Sequence, residues 1–437
     1  MYSFLKKTSL FPWVKANSVL LLNAASLVST TAVTSVLGFA YWWVAARLFP
    51  PDAVGLASAA ISAMTLLGTV CTLGLGTLLI GELPRQPGKA VSLIGAALLL
   101  VLGVGGGVGG FFALLSPFVS ESFLALRANG GVIAFFALGV GLTAVTLVLD
   151  QSLIGLLQGK LQLGRNTLFA LAKLIALLLV GLLLWQKSWF ALYATWSIGS
   201  LFSLLALADY VLRKVRIWRR EHWPQWNLLR KLGPSALQHY ALNMILQIPD
   251  KALPILVTAV LSVTANAGFY VASMLASFVY VGSSALTTVL YATTSADPSA
   301  LVQRSRLTLG IGLLVCSVAS IILFLGARPL LLLFGHAYAE QATWSLRLLG
   351  LAAFPLIIKN HYIALCRIEQ RIAPTLLPLT ICCALELIAS ATGAHVGGLV
   401  GLSLGWLLAL LVEAVFMFRP VYMMVRPQWP RLKEGLS

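Results

Sequence analysis

Charge is what this sequence has least of. Only 10% of its 437 residues are Asp, Glu, Lys or Arg, against about 25% in soluble domains. With 59% hydrophobic residues, that scarcity excludes an ordinary soluble chain and indicates a membrane protein. Cysteine is scarce as well. Cys71, Cys316, Cys366, Cys382 and Cys383 lie within or at the ends of apolar runs and form no CxxC pair. The five histidines have no ligand spacing, so neither a disulfide framework nor a metal site is expected. No Walker A sequence occurs, which excludes ATP hydrolysis by this chain, and no cofactor is expected. The stretch 105–110 satisfies GxGxxG, but inside an apolar run with no strand before it. The breaks between apolar runs are too short for an extramembrane catalytic domain, so the chain reads as a non-enzyme.

What is present is a series of apolar runs, each close to the roughly 20 residues a spanning helix needs. Twelve are expected to cross: 18–46, 53–80, 90–115, 130–157, 167–186, 189–212, 235–262, 266–291, 306–327, 344–365, 374–393 and 397–418. The net charge of +17 does not imply nucleic-acid binding, because most basic residues sit in the short breaks. Alternate breaks, with both termini among them, hold 22 of the 30 Lys and Arg; the opposite set holds four, Arg47, Arg127, Lys187 and Arg328. By the positive-inside rule, both termini are then cytoplasmic and the protein is multi-pass in the inner (cytoplasmic) membrane. The first run is far longer than a signal-peptide core and reads as an uncleaved span.

The longest interior break, 213–234, combines seven basic residues with Trp218, Trp223 and Trp226. It reads as a linker on the anionic inner leaflet. It divides the chain into an N-terminal lobe (1–212, six spans), the basic linker, and a C-terminal lobe (235–437, six spans and a short cytoplasmic tail). The lobes share a faint repeat. Asp52–Ala59 opens the second span and Asn266–Ser273 the eighth, with Gly55 and Gly268 in corresponding places; Pro84 and Pro298 repeat the offset. Six spans per half makes the repeat parallel, with a pseudo-twofold axis along the membrane normal. The fold expected is therefore an all-α polytopic membrane protein of about twelve helices in two six-helix lobes.

The densest polar cluster at membrane depth is in the seventh span. Asp250 and Lys251 lie about 15 residues in, near mid-depth, between Pro249 and Pro254, which remove helical hydrogen bonds. Gln238, Asn243 and Gln247 share a broad face with Lys251. Charge at a bilayer centre costs about 2.5–3.5 kcal/mol on insertion scales. Two readings follow. Asp250 and Lys251 neutralise other buried charges and hold helices together; or they line a hydrated face where Lys251 meets an anionic substrate and Asp250 pairs with it or takes a proton or sodium ion. Lys173 is assigned to cavity lining or to snorkelling, and Glu386, near mid-depth in the eleventh span, to a protonation site or a neutral buried acid. Lys359 and Arg347 are expected to snorkel, Asp150, Asp209 and Glu413 to be interfacial, and Asn23 to bond a neighbouring helix.

Three stretches carry a family likeness: Ala45 to Ala57, with Arg47, Pro50, Asp52 and Gly55; Leu73-Gly74-Leu75-Gly76 followed by Leu83-Pro84-Arg85; and Asp250-Lys251 through Gly268, Tyr270 and Ala272. The sequence resembles the polysaccharide (O-antigen, Wzx-type) flippases of the multidrug/oligosaccharidyl-lipid/polysaccharide superfamily. The resemblance implies a MATE-like fold with spans one, two, seven and eight lining a central cavity. It implies a lipid-linked oligosaccharide as substrate, on polyprenyl pyrophosphate, moved from the inner to the outer leaflet by alternating access. Membrane lipids, a coupling H+ or Na+ and glycan-assembly proteins complete the expected partners, and nucleic acid is not one. The chain departs from related lipid II flippases in its sparse cationic lining, which leaves Lys251 and Lys173 for the pyrophosphate. Gln238, Asn243, Gln247 and Asn23 would meet sugar hydroxyls, and Asp250 and Glu386 would couple an ion. The rivals are a cation-coupled drug exporter on the same fold, a membrane glycan polymerase or ligase, and a scaffold without transport.

Overall fold

The structure is a computed structural model that describes residues 18–83, 87–183, 187–214, 234–296, 301–369 and 371–425. It is helical, with no strand among the described residues. This follows from the solvent: in hydrocarbon every backbone N–H and C=O must bond within its own segment, and a helix does so. The helices are α1 (Ser18–Leu48), α2 (Pro51–Val70), α3 (Leu75–Glu82), α4 (Ala90–Val119), α5 (Gly130–Gly155), α6 (Gly159–Leu183), α7 (Trp189–Lys214), α8 (Pro234–Val260), α9 (Val263–Ala296), α10 (Leu301–Leu332), α11 (His336–Leu351), α12 (Ala353–Ile368) and α13 (Ala373–Met424). The described residues of the expected stretches are mostly helical. Among the described residues, eight helices are long and apolar enough to cross a membrane, or nine if the bent pair α11–α12 is one span.

Three stretches depart from simple spans. The run 53–80 is broken between α2 and α3, where Leu73 and Gly74 adopt left-handed backbone (φ 51° and 74°). The carbonyls of Thr69 and Val70, which already accept from Thr72 and Leu73 in the tightened turn, also accept the Tyr240 hydroxyl, whose ring packs on Gly74. The run 344–365 bends by 40° at Ala352. The 52-residue α13 is two helices joined at Gly397 (φ −136°, ψ 23°) and Gly398 (φ 57°, ψ −140°). Its arms fold onto each other with almost no side chain between them. A Cβ on Gly393 would lie 2.1 Å from the Gly401 carbonyl oxygen, and one on Gly405 2.1 Å from that of Ala389. Small residues allow such contact between membrane helices.

The chain divides into two compact units. Unit 1 holds Met1–Leu48, Leu67–Ser116 and Leu126–Tyr240; unit 2 holds Phe49–Leu66, Pro117–Ala125 and Ala241–Ser437. The linker expected at 213–234, and Pro84 and Pro298 of the expected repeat, lie almost wholly outside the described residues. In unit 1, Asp150 at the end of α5 takes a two-pronged bond from Arg165 of α6 (3.0 and 2.7 Å), and Asn166 donates to the same carboxylate. This ties the two helices across the turn at Leu157, where φ is 56°.

Unit 2 explains why residues 49–66 join the C-terminal part. Gly55 lies against α9 so closely that a Cβ there would sit 1.5 Å from the Val263 carbonyl oxygen. Buried Asn266 then donates to the Gly55 carbonyl (2.8 Å) and to the Ser58 hydroxyl (3.0 Å). The two stretches that look alike in sequence are thus packed on one another. Gly55→Leu is expected to destabilise the protein by at least about 1–3 kcal/mol through overpacking. Thermal unfolding of the detergent-solubilised protein, followed by size exclusion, measures this; an unchanged midpoint would show that the contact is not needed.

Candidate functional site

The site is built in unit 2 from α8, α9, α12 and α13. In α8, Pro249 lacks the N–H that would bond Ile245, and Pro254 the one that would bond Asp250. Asp250 is 68% exposed at its side chain and is one wall of a cavity of about 380 Å³. Lys251 Nζ lies 2.7 Å from the Asp250 carboxylate, so the two charges meet each other. Gln247 lines the same cavity one turn away. From α9, Ser273, Ser277, Tyr280 and Ser284 face it. These three serines donate to carbonyls of their own helix. Tyr280 donates to the Leu349 carbonyl (2.5 Å) and its ring sits 6.2 Å from that of Trp406.

The floor of the cavity is a buried charge cluster. Lys359 of α12, 8% exposed, lies 2.5 Å from Glu386 and 2.9 Å from Glu413, both on α13. Trp406 donates its indole N–H to the other Glu386 oxygen at 2.6 Å. Glu386 and Glu413 are 2% and 1% exposed. Two carboxylates against one ammonium leave one net negative charge, unless the cluster binds a proton or another cation. Lys359, Glu386 and Trp406 border the cavity, which gives the cluster a polar route to Asp250.

Several sequence expectations land elsewhere. Asn243 is not at the cavity; its Oδ1 accepts from Arg367 of α12 at 3.0 Å, tying α8 to α12. Lys173 belongs to unit 1, where it is buried among Tyr41, Phe169 and Trp196, its ammonium 3.5 Å from the Trp196 ring centre. Gly199 makes room for it, since a Cβ there would lie 2.9 Å from that of Lys173. The side chains of Gln238 and Asn23 lie outside the described residues. Glu413, expected at the interface, is enclosed beside Lys359, and Lys359 is paired where it was expected to snorkel. The missed signal was mutual: a lysine and two acids, each within an apolar run of the same half, needed one another.

Removing Lys359 alone strands two buried carboxylates. Lys359→Met is expected to cost about 3–5 kcal/mol, whereas Lys359→Met with Glu386→Gln and Glu413→Gln recovers most of the loss. Thermal midpoints of the two purified variants measure the difference, and equal midpoints would deny the cluster its structural role.

The profile of a family described as polysaccharide biosynthesis protein matches residues 20–296. Among solved structures, the chain is similar to an inward-facing conformation of a multidrug resistance MATE family transporter of the MOP superfamily. That likeness has a TM-score of 0.70 and 14% identity, over 94% of this chain and 99% of that one. It is also similar to lipid II flippase MurJ in an inward closed conformation, with a TM-score of 0.67 and 12% identity over 93% and 90%. A third is a MOP superfamily transporter from Pyrococcus furiosus, described as having a binding pocket of reversed polarity. There the TM-score is 0.55 and the identity 14%, over 93% and 95%. At these identities the likeness is one of fold. No curated protein sequence matches.

Proposed function

The chain belongs to the polysaccharide biosynthesis protein family, a multi-pass membrane protein with a flippase or transporter role, and from that premise we propose that it moves a polyprenyl-pyrophosphate-linked oligosaccharide from the inner to the outer leaflet. The observation that carries this reading is the unit 2 cavity, where serine hydroxyls and the amides of Gln247 and Asn360 share the lining with apolar side chains beside the Asp250–Lys251 pair. Serine hydroxyls, Gln247 and Asn360 are suited to sugar hydroxyls, and Tyr280 and Trp406 offer ring faces to a pyranose. Lys251 offsets the pyrophosphate after exchanging Asp250 for it. Lys173 joins only when the rings around its ammonium part, an opening we assign to an alternating-access cycle. We place both termini in the cytoplasm and all twelve stretches across the inner membrane.

In this reading the ion that drives transport is taken by the acidic groups. Asp250 loses its partner when Lys251 turns to substrate, and the Glu386–Glu413 cluster has one negative charge to neutralise. A proton or sodium ion serves either group. Replacing Glu386 with Gln leaves Lys359 and Glu413 as a neutral pair, so Glu386→Gln is expected to fold. It should lose acceleration by an imposed proton or sodium gradient while retaining exchange without one.

Purified protein in liposomes, given a lipid-linked oligosaccharide on one face, tests the substrate. Lys251→Ala is expected to slow translocation about tenfold or more, the loss of one charge-assisted hydrogen bond, with an unchanged amount of protein inserted. Undiminished translocation would remove Lys251 from the mechanism. A second reading, cation-coupled drug export, is favoured by the exposure of Asp250 to a cavity with aromatic walls. Efflux of a cationic dye that Asp250→Asn abolishes, with no oligosaccharide movement, would select it.

A further inference from the structure

A second cavity in unit 2, also about 380 Å³, contrasts with the polar one in chemical character: it is almost wholly apolar. Its walls are Ile321, Phe324 and Leu325 of α10 with Leu351 and Phe354, which flank the bend. The bend at Ala352 makes the space, because two straight helices would close on it. Ser320 fixes the opened turn by donating to the Gly350 carbonyl at 2.8 Å. Ile321 and Leu325 are exposed, so the groove opens on the surface presented to lipid.

At the edge of this groove sits a cation. Arg347 of α11 donates from Nε to the Phe324 carbonyl (3.1 Å), and its guanidinium stands 5.2 Å from the Phe324 ring centre and 4.6 Å from that of Trp344. Among the described residues no carboxylate pairs with it and its two terminal nitrogens meet no acceptor. The rings fix its plane and leave that edge free. Its depth is set by α10. The 21 apolar and small residues between Arg306 and Arg328 span about 30 Å, the thickness of the hydrocarbon core. Phe324 is one turn inside exposed Arg328, so Arg347 lies just beneath one interface, with the groove running from it towards the membrane centre.

A cation under the headgroups, with free paired donors above an apolar groove, matches one class of molecule. We infer that this groove binds an anionic phospholipid, its phosphate held by the terminal nitrogens of Arg347 and one acyl chain lying between Phe324 and Phe354. Charge complementarity selects the headgroup, since a planar guanidinium engages two phosphate oxygens at once. By the distribution of Lys and Arg, the leaflet is the outer one. The site is separate from the polar cavity and does not depend on what that cavity carries.

Native mass spectrometry of the full-length protein, titrated with phosphatidylglycerol or phosphatidylcholine, tests the inference. Wild type is expected to prefer phosphatidylglycerol by roughly fivefold for its tightest site, the value of one basic residue near a membrane surface. Arg347→Gln should abolish the preference, and Arg347→Lys should keep part of it. Ser317→Trp, which fills the groove and leaves Arg347 in place, should reduce binding of both lipids. Equal binding of the two lipids to wild type, or a preference that survives Arg347→Gln, would overturn the site. Recovery of a polyprenyl phosphate in place of phospholipid from wild type but not from Arg347→Gln would overturn the phospholipid assignment.

Discussion

An ammonium enclosed among helices needs compensation, which Lys173 takes from aromatic rings and Lys359 from two carboxylates. Glu386 and Glu413 come from the two arms of α13, so one lysine on α12 grips both halves of a helical hairpin. The hairpin holds its own arms together only by backbone-close glycine contacts. Dispersion at Gly393, Gly401 and Gly405 is insensitive to depth, and the same face could slide; the ion pairs fix its register. The floor of the polar cavity is thereby set to within a hydrogen bond. Everything the cavity presents from α12 and α13 inherits its position from that cluster.

Glycine does for the other helices what charge does for these. At Gly55 the backbone of α2 meets α9, and Asn266 closes the contact by bonding the carbonyl that the missing side chain leaves open. Association of helices in lipid draws little from the hydrophobic effect, since neighbouring acyl chains are as apolar as leucine. Close backbone approach and buried amide bonds supply what is left. The resemblance between Asp52–Ala59 and Asn266–Ser273 then has a structural use beyond any repeat: each stretch is small enough at its glycine or amide for the other to seat on it.

Periodic apolar runs made the helices legible, and mid-depth charge made Asp250, Lys251 and Glu386 stand out. Boundaries of the spans were less so. The break at Leu73–Gly74 sits in an uninterrupted apolar run, and the bonds that hold it, from Thr72, Leu73 and distant Tyr240 to the Thr69 and Val70 carbonyls, leave no mark in that run. Depth counting also misled for Glu413 and Lys359. Measured along the chain, each was near enough to an end to reach water; the neighbours that close over them come from other helices and leave no local trace. Arg367, which bonds Asn243 from α12, was hidden for the same reason. Helical periodicity says which residues share a face, and nothing about what covers that face.

The fold alone does not choose a substrate here, because structures of similar fold include a multidrug resistance transporter and a lipid II flippase. In unit 2 the charge is divided into two parts with different freedom. Lys359, Glu386 and Glu413 are packed, joined through the lysine and nearly inaccessible, so their positions are fixed. Asp250 lines the cavity and Lys251 reaches it only through the Asp250 carboxylate, so this partly exposed ion pair is the weaker of the two, worth in water at most about 1 kcal/mol. A weak pair beside a rigid cluster is the arrangement that the exchange we propose would use, with Lys251 passing to an incoming anion and Asp250 left for a cation. A cavity meant only to hold helices together would have its charges arranged the other way, with the strained pair buried and nothing left facing the space.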